Sequence, residues 1–268
     1  MRTVVVTGSA SGMGAATRAR LEADGQRVIG IDQRDADVVV DLGTVDGRAA
    51  AIAEVTAMTD AIDGLVTCAG VAGLTDRPGG LLTSVNYFGT VTLLAGLREL
   101  LARGDRPAAV GISSNSTTCQ PEVPMAVVEH CLAGDEAAAR AAGDVAGSVL
   151  TYPATKLAIA RWIRRHAPTR DWAGAGITLN AVAPGKVDTP LLAETRRDTM
   201  IGPLVDAFPV PIGRSGTADE LAGVVHFLLG PDARFFCGSV VFVDGGTDAQ
   251  LRTEDFPAPL ARVTTEYR

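Results

Sequence analysis

Aromatic side chains are scarce in this chain: seven Phe, three Tyr and two Trp make up 4% of 268 residues. A core must then be assembled from Ala, Val and Leu, and with 47% hydrophobic residues there are enough for one full domain. Paired cysteines are missing too. Cys68, Cys119, Cys131 and Cys237 fall at no CxxC spacing, and His130, His166 and His226 are equally dispersed. No metal site is expected from such spacing, and the thiols read as buried small hydrophobes. Positive charge is in deficit, since 24 Lys and Arg face 31 Asp and Glu for a net charge of -7. Nucleic-acid binding thereby loses its electrostatic attraction. No apolar run reaches the ~18 residues of a membrane span. The opening "MRTVVVTG" stops at Gly8, too short for a secretory signal. The expectation is a cytoplasmic protein with neither membrane nor nucleic-acid partner.

What is present is a series of short β-branched runs, "TVVVTG", "RVIGID", "DVVVDL", "DGLVTCAG", "AAVGISS", "ITLNAVAPG" and "SVVFVDGG", separated by Ala-rich helical stretches. Continuous rather than alternating apolar runs suit strands buried on both faces of a parallel sheet. The alternation predicts an α/β fold, a doubly wound parallel sheet of Rossmann type, in a single domain spanning residues 1–268. Ligands of such sheets sit beyond the carboxyl ends of the strands. Two segments stand outside the alternation. Residues 115–147 read as a helical insertion of two short helices broken at Gly134, and the tail 247–268 reads as lying on the surface or on a partner.

The first strand runs into "TGSASGMG", where Gly8, Gly12 and Gly14, with Ser11 and Met13 between them, form a turn into a helix. Glycines let the backbone approach a pyrophosphate, and the helix N-terminus offers free N–H groups and partial positive charge. The second strand ends at Asp32, 18 residues beyond Gly14. A carboxylate at that place accepts from a ribose diol and repels a 2′-phosphate, which favours NAD over NADP; Arg34 beside it is the counter-argument. Farther on, "TYPATK" places Tyr152 and Lys156 one helical turn apart on one face. Pro153 between them predicts that Tyr152 lies in the first helical turn or its approach, where no backbone donor is lost.

These motifs, with "CAG" (Cys68, Ala69, Gly70), Asn86 in "VNYFG", "ISS" ending at Ser114, and "NAVAPGKVDTP", resemble the short-chain dehydrogenase/reductase family in order and over nearly the whole chain. The resemblance implies a nicotinamide-dependent oxidoreductase with Ser114, Tyr152, Lys156 and Asn86 as the catalytic group. Tyr152 would serve as proton donor or acceptor, its pKa lowered by Lys156. Ser114 would hold the substrate oxygen, Lys156 the nicotinamide ribose, and Asn86 a water. It implies further that Asp41 and Leu42 flank the adenine, and that Val187 and Thr189, after Pro184 and Gly185, fix the carboxamide. Cys68 departs from the family, which more often has Asn there, so local hydrogen bonding should differ.

Ser114 and Tyr152 lie 38 residues apart, farther than in most members. The insertion between them resembles the hydroxysteroid-oxidising branch, and more loosely the members acting on aryl allylic alcohols. A secondary alcohol or ketone on a bulky apolar skeleton is therefore expected as substrate, with a non-catalytic dinucleotide-binding regulator as the remote alternative. The segment 191–214 is the expected lid, its Leu191, Leu192, Met200, Ile201, Leu204, Val205 and Phe208 forming either a substrate wall or a packed helix face. Val71 and Leu74 are expected beside the active centre. By the same resemblance a homo-oligomer is expected, a dimer rather than a tetramer, because the added helices precede the one that commonly builds an interface.

Overall fold

In the computed structural model, which describes residues 1–258, the seven apolar runs become seven parallel strands. They are β1 (Thr3–Thr7), β2 (Arg27–Asp32), β3 (Val38–Val39), β4 (Gly64–Thr67), β5 (Ala108–Ile112), β6 (Thr178–Pro184) and, after a small pair formed by β7 (Val187–Asp188) and β8 (Gly216–Thr217), β9 (Val240–Val243). The order across the sheet is β3-β2-β1-β4-β5-β6-β9. Register is set by apolar pairs, Val5 beside both Ile29 and Leu65 and Val66 beside Val110.

The side-chain period of two divides the core between the faces of the sheet. Val5 joins Ile29, Leu65, Leu94, Ile159 and Ile163 on one side, whereas Val4 and Val6 join Leu21, Val28, Leu221 and Val225 on the other. Each such side chain, fully buried, contributes about 1.5–3 kcal/mol of transfer free energy. Strand order reverses between β1 and β4, so a crevice opens beyond their carboxyl ends.

The insertion breaks at Gly134 as expected. Helix Met125–Ala133 ends there with φ 76°, and Asp135 caps helix Glu136–Ala146 by accepting from Ala138 N. Both helices pack against helix Ser148–His166 and bury Val127, Val128 and Cys131. Two expectations need correction. The tail does not begin as a surface segment, because Thr247–Leu251 is a helix with Thr247 and Asp248 buried; residues 259–268 lie outside the described part. Cys237 is exposed in the turn before β9, and only Cys131 is fully buried.

Candidate active site

The glycines after β1 are demanded by space. Gly8 and Gly12 hold φ of 67° and 53°, and a Cβ on Gly14 would sit 2.0 Å from the Gly8 carbonyl oxygen. Helix Gly12–Ala23 receives no side-chain cap from Ser11 and has no acidic residue in its first turn. Its leading N–H groups and positive dipole end thus face a small cleft of about 180 Å³. That cleft is walled by Gly8, Ser11, Gly12, Met13, Gly14, Asp32, Asp41, Leu42, Cys68, Ala69 and Gly70. An uncapped, carboxylate-free helix end over a glycine cradle fits a dinucleotide pyrophosphate.

Asp32 is held at the far end of this cleft. Its carboxylate accepts from Ala10 N at 3.0 Å and from Gln33 N at 2.7 Å, while Arg34 is exposed and outside the lining. Gln33, Val40 and Val85 also line the cleft and were not anticipated. Only the position of Gln33 beside Asp32 marks any of them in the sequence.

A second, larger cavity of about 500 Å³ continues from the first. Ser114 follows β5, and Tyr152 and Lys156 project from helix Ser148–His166 into the same space, together with Pro184, Gly185, Val187 and Thr189. The Lys156 Nζ donates to the Ile112 carbonyl at 3.0 Å and lies 5.8 Å from the Tyr152 ring centroid. Ser114 Oγ accepts from Ser116 N at 3.1 Å, which leaves its hydroxyl proton for Tyr152 or a substrate oxygen. Ser113 Oγ, donating to the Lys156 carbonyl at 3.0 Å, ties the end of β5 to the helix.

Burial sets the protonation of this group. It pushes the Tyr152 hydroxyl above its ordinary value, opposed by a hydrogen bond with Ser114, and pulls the Lys156 ammonium down to about 8. The expected lowering of Tyr152 is thus reversed in the protein alone, because desolvation outweighs the hydrogen bond from Ser114. Cys68, also raised by burial, to about 12, is a neutral thiol. The departure from the family at this turn leaves the Thr7–Ala69 bond, Oγ1 accepting from N at 3.0 Å, in place.

Three further expectations are altered. Pro153 lies in the second turn of a helix that already begins at Ser148, after Gly147 with φ 77°. The Val149 carbonyl loses its helical donor to the proline and accepts instead from Gln120 Nε2 at 3.4 Å. Asn86 lines neither cavity. It is fully buried in a π-helical turn, Thr83–Phe88, where its amide accepts from Val71 N at 2.8 Å and donates to Val71 O at 3.1 Å. Leu74 is buried outside the lining, its N–H donating to Ser148 Oγ, while Val71 does face the cavity.

Of the expected lid residues, Leu191, Leu192, Ile201, Leu204, Val205 and Phe208 line the larger cavity, and Met200 points to solvent. The lid is two short helices, Pro190–Arg197 and Gly202–Ala207. Thr189 caps the first by accepting from Leu192 N. Lys186 Nζ fastens the second by donating to the carbonyls of Val205, Asp206 and Phe208 at 3.0–3.2 Å. Asp198 between them accepts from Thr75 N and Thr75 Oγ1 at 2.7 and 2.8 Å, and Glu194 pairs with Arg77 at 2.8 Å. The Thr75 bonds hold the Asp198 carboxyl down at about 2.

Against known proteins, the chain is 41% identical over 263 residues, 96% of its length, to the whole of a 3-alpha-hydroxysteroid dehydrogenase/carbonyl reductase of Comamonas testosteroni. It belongs to the short-chain dehydrogenase/reductase family. The crystal structure of another member, the 3-alpha-hydroxysteroid dehydrogenase of Pseudomonas sp. B-0831 complexed with NADH, superposes with a TM-score of 0.90. It is 46% identical, and the match covers 95% of this chain and 100% of that one. A family model described as enoyl-(acyl carrier protein) reductase matches residues 136–248. Coniferyl-alcohol dehydrogenase of a Pseudomonas strain is more distant, at 32% identity over 91% of this short-chain dehydrogenase/reductase and 95% of the relative.

Proposed function

We propose that the protein is an NAD-dependent alcohol dehydrogenase and carbonyl reductase acting on bulky apolar secondary alcohols and ketones, 3α-hydroxysteroids first. The observation that carries this reading is the convergence of Ser114, Tyr152 and Lys156 on the larger cavity, which shares walls with the glycine-lined cleft. NAD, when bound, would supply the hydride acceptor and a positive charge. Ser114 Oγ, oriented by Ser116 N, donates to the substrate oxygen. Tyr152 takes the hydroxyl proton during oxidation and returns it during reduction, and Lys156, protonated below about 8, stabilises the tyrosinate that forms. Gly8, Gly12, Gly14 and the free helix end hold the pyrophosphate, Asp32 the ribose diol, Asp41 and Leu42 the adenine. Asn86 acts by fixing the Gly70–Val71 backbone.

The larger cavity supports the substrate class, since Val71, Leu191, Leu192, Ile201 and Phe208 offer apolar surface worth ~25 cal/mol per Å² buried. Only Ser114 and Tyr152 need address the oxygen. Aryl allylic alcohols are the second reading, favoured by the likeness to coniferyl-alcohol dehydrogenase. The test compares kcat/KM with NAD for androsterone, coniferyl alcohol and a small polar alcohol. Preference for androsterone supports the proposal, preference for coniferyl alcohol promotes the second reading, and preference for the polar alcohol removes both. NADH binding without turnover on any of the three returns the chain to a regulator. As a cytoplasmic homodimer the enzyme would use the insertion to cover the face of helix Ser148–His166 that a tetramer would need.

A further inference from the structure

The insertion carries a partly buried ionic strut that reaches the Leu42 and Val85 end of the small cleft. Glu136 opens helix Glu136–Ala146, and its two carboxylate oxygens go separate ways. Oε2 pairs with Arg48, whose side chain is only 4% exposed and whose other terminal nitrogen donates to the Leu42 carbonyl at 3.2 Å. Oε1 accepts from the fully buried Ser84 Oγ at 2.7 Å, and Arg140, one helical turn on, donates to the same hydroxyl at 2.6 Å. Leu42 and Val85, the residue after Ser84, both wall the small cleft. One carboxylate therefore anchors both apolar walls at that end, one through Arg48 and one through Ser84.

From this we infer that Glu136 is a positioning residue for the dinucleotide, so that the insertion serves cofactor affinity as well as covering a helix face. The inference rests on the proposed function in taking NAD as the occupant. Glu136 touches no ligand itself; it sets the separation of Leu42 and Val85, between which an adenine ring must fit. Loss of the carboxylate alone would leave Arg48 buried without a counter-charge and endanger folding, so the variant of choice removes both charges.

The test is NADH titration by fluorescence with the wild type, Glu136→Gln, and the double variant Glu136→Leu/Arg48→Met, at a temperature below each variant's melting transition. Glu136→Gln keeps the contacts without the charge and should weaken NADH by about threefold, the double variant by about tenfold. The KM of the alcohol and kcat at saturating NAD should stay within about twofold of wild type, because Ser114, Tyr152 and Lys156 lie outside the strut. A folded double variant with unchanged NADH affinity overturns the inference, as does an equal rise in the alcohol KM. If wild-type protein itself failed to bind NADH, the proposed function would fall first.

Discussion

Tyr152 and Lys156 occupy the same desolvated space, and burial acts on them in opposite directions. Tyr152→Phe should lower kcat by about 10²- to 10⁴-fold while leaving NADH affinity almost unchanged, since the hydroxyl handles only the substrate proton. Stopped-flow turnover beside NADH titration checks this, and near-wild-type kcat would remove Tyr152 from the acid/base role. In free protein, the tyrosinate absorbance lost in Tyr152→Phe should appear at higher pH than that of an ordinary tyrosine, and saturating NAD should move it downward. For Lys156 the sign is set by linkage. Its folded pKa of about 8 lies below the ordinary lysine value of 10.5, so the unfolded chain holds the proton over that window and stability rises with pH. Relative to Lys156→Met, wild type should gain on the order of 3 kcal/mol between those pH values, read by urea unfolding at each pH. Asp32→Ala should shift preference toward NADP, because the carboxylate held by Ala10 and Gln33 no longer faces the added phosphate.

At the scale of elements, the lid is held by more than its apolar face. Asp198 joins it to the loop of Thr75, and the low pKa of that carboxylate means the clamp is fully present above 3.8 and is released as the pH falls toward about 2. Asp198→Ala should raise KM for bulky substrates several-fold and speed proteolysis between Thr189 and Phe208, with NADH binding unaffected. Equal KM and proteolysis in the two proteins would leave the clamp without function. Such bonds between distant segments were not legible in the sequence. Nor was the helix start at Ser148, which Gly147 permits through a left-handed backbone and Gln120 supports from a turn 29 residues upstream. The glycine turn, Asp32 and the Tyr152–Lys156 pair were legible because each is fixed by a local rule, space, strand end or helical repeat, whereas Ser114 was named through the family resemblance alone.

For the whole molecule, all seven strands of the main sheet could be read: burial on both faces writes an unbroken apolar run in β1, β2, β4, β5 and β6, and the less buried edge strands β3 and β9 keep β-branched runs. The two-residue strands β7 and β8 and the π-helical turn have no such period, and the sequence did not reveal them. The assembly prediction belongs at this scale. With helices Met125–Ala133 and Glu136–Ala146 laid over helix Ser148–His166, light scattering should report twice the mass of the 27.6 kDa chain. A monomer or tetramer would refute the expected dimer.

The two cavities are not separate rooms. Met13, Cys68, Gly70, Val71, Thr189 and Leu191 line both, so a dinucleotide reaching from the smaller into the larger would lie against the same walls as an alcohol. An alcohol seated on these shared walls would pack against the nicotinamide end of the proposed dinucleotide and hinder its exit. Turnover should therefore follow a compulsory order, dinucleotide first in and last out. Steady-state kinetics would register this as NADH competing with NAD, while the ketone product inhibits noncompetitively against either substrate.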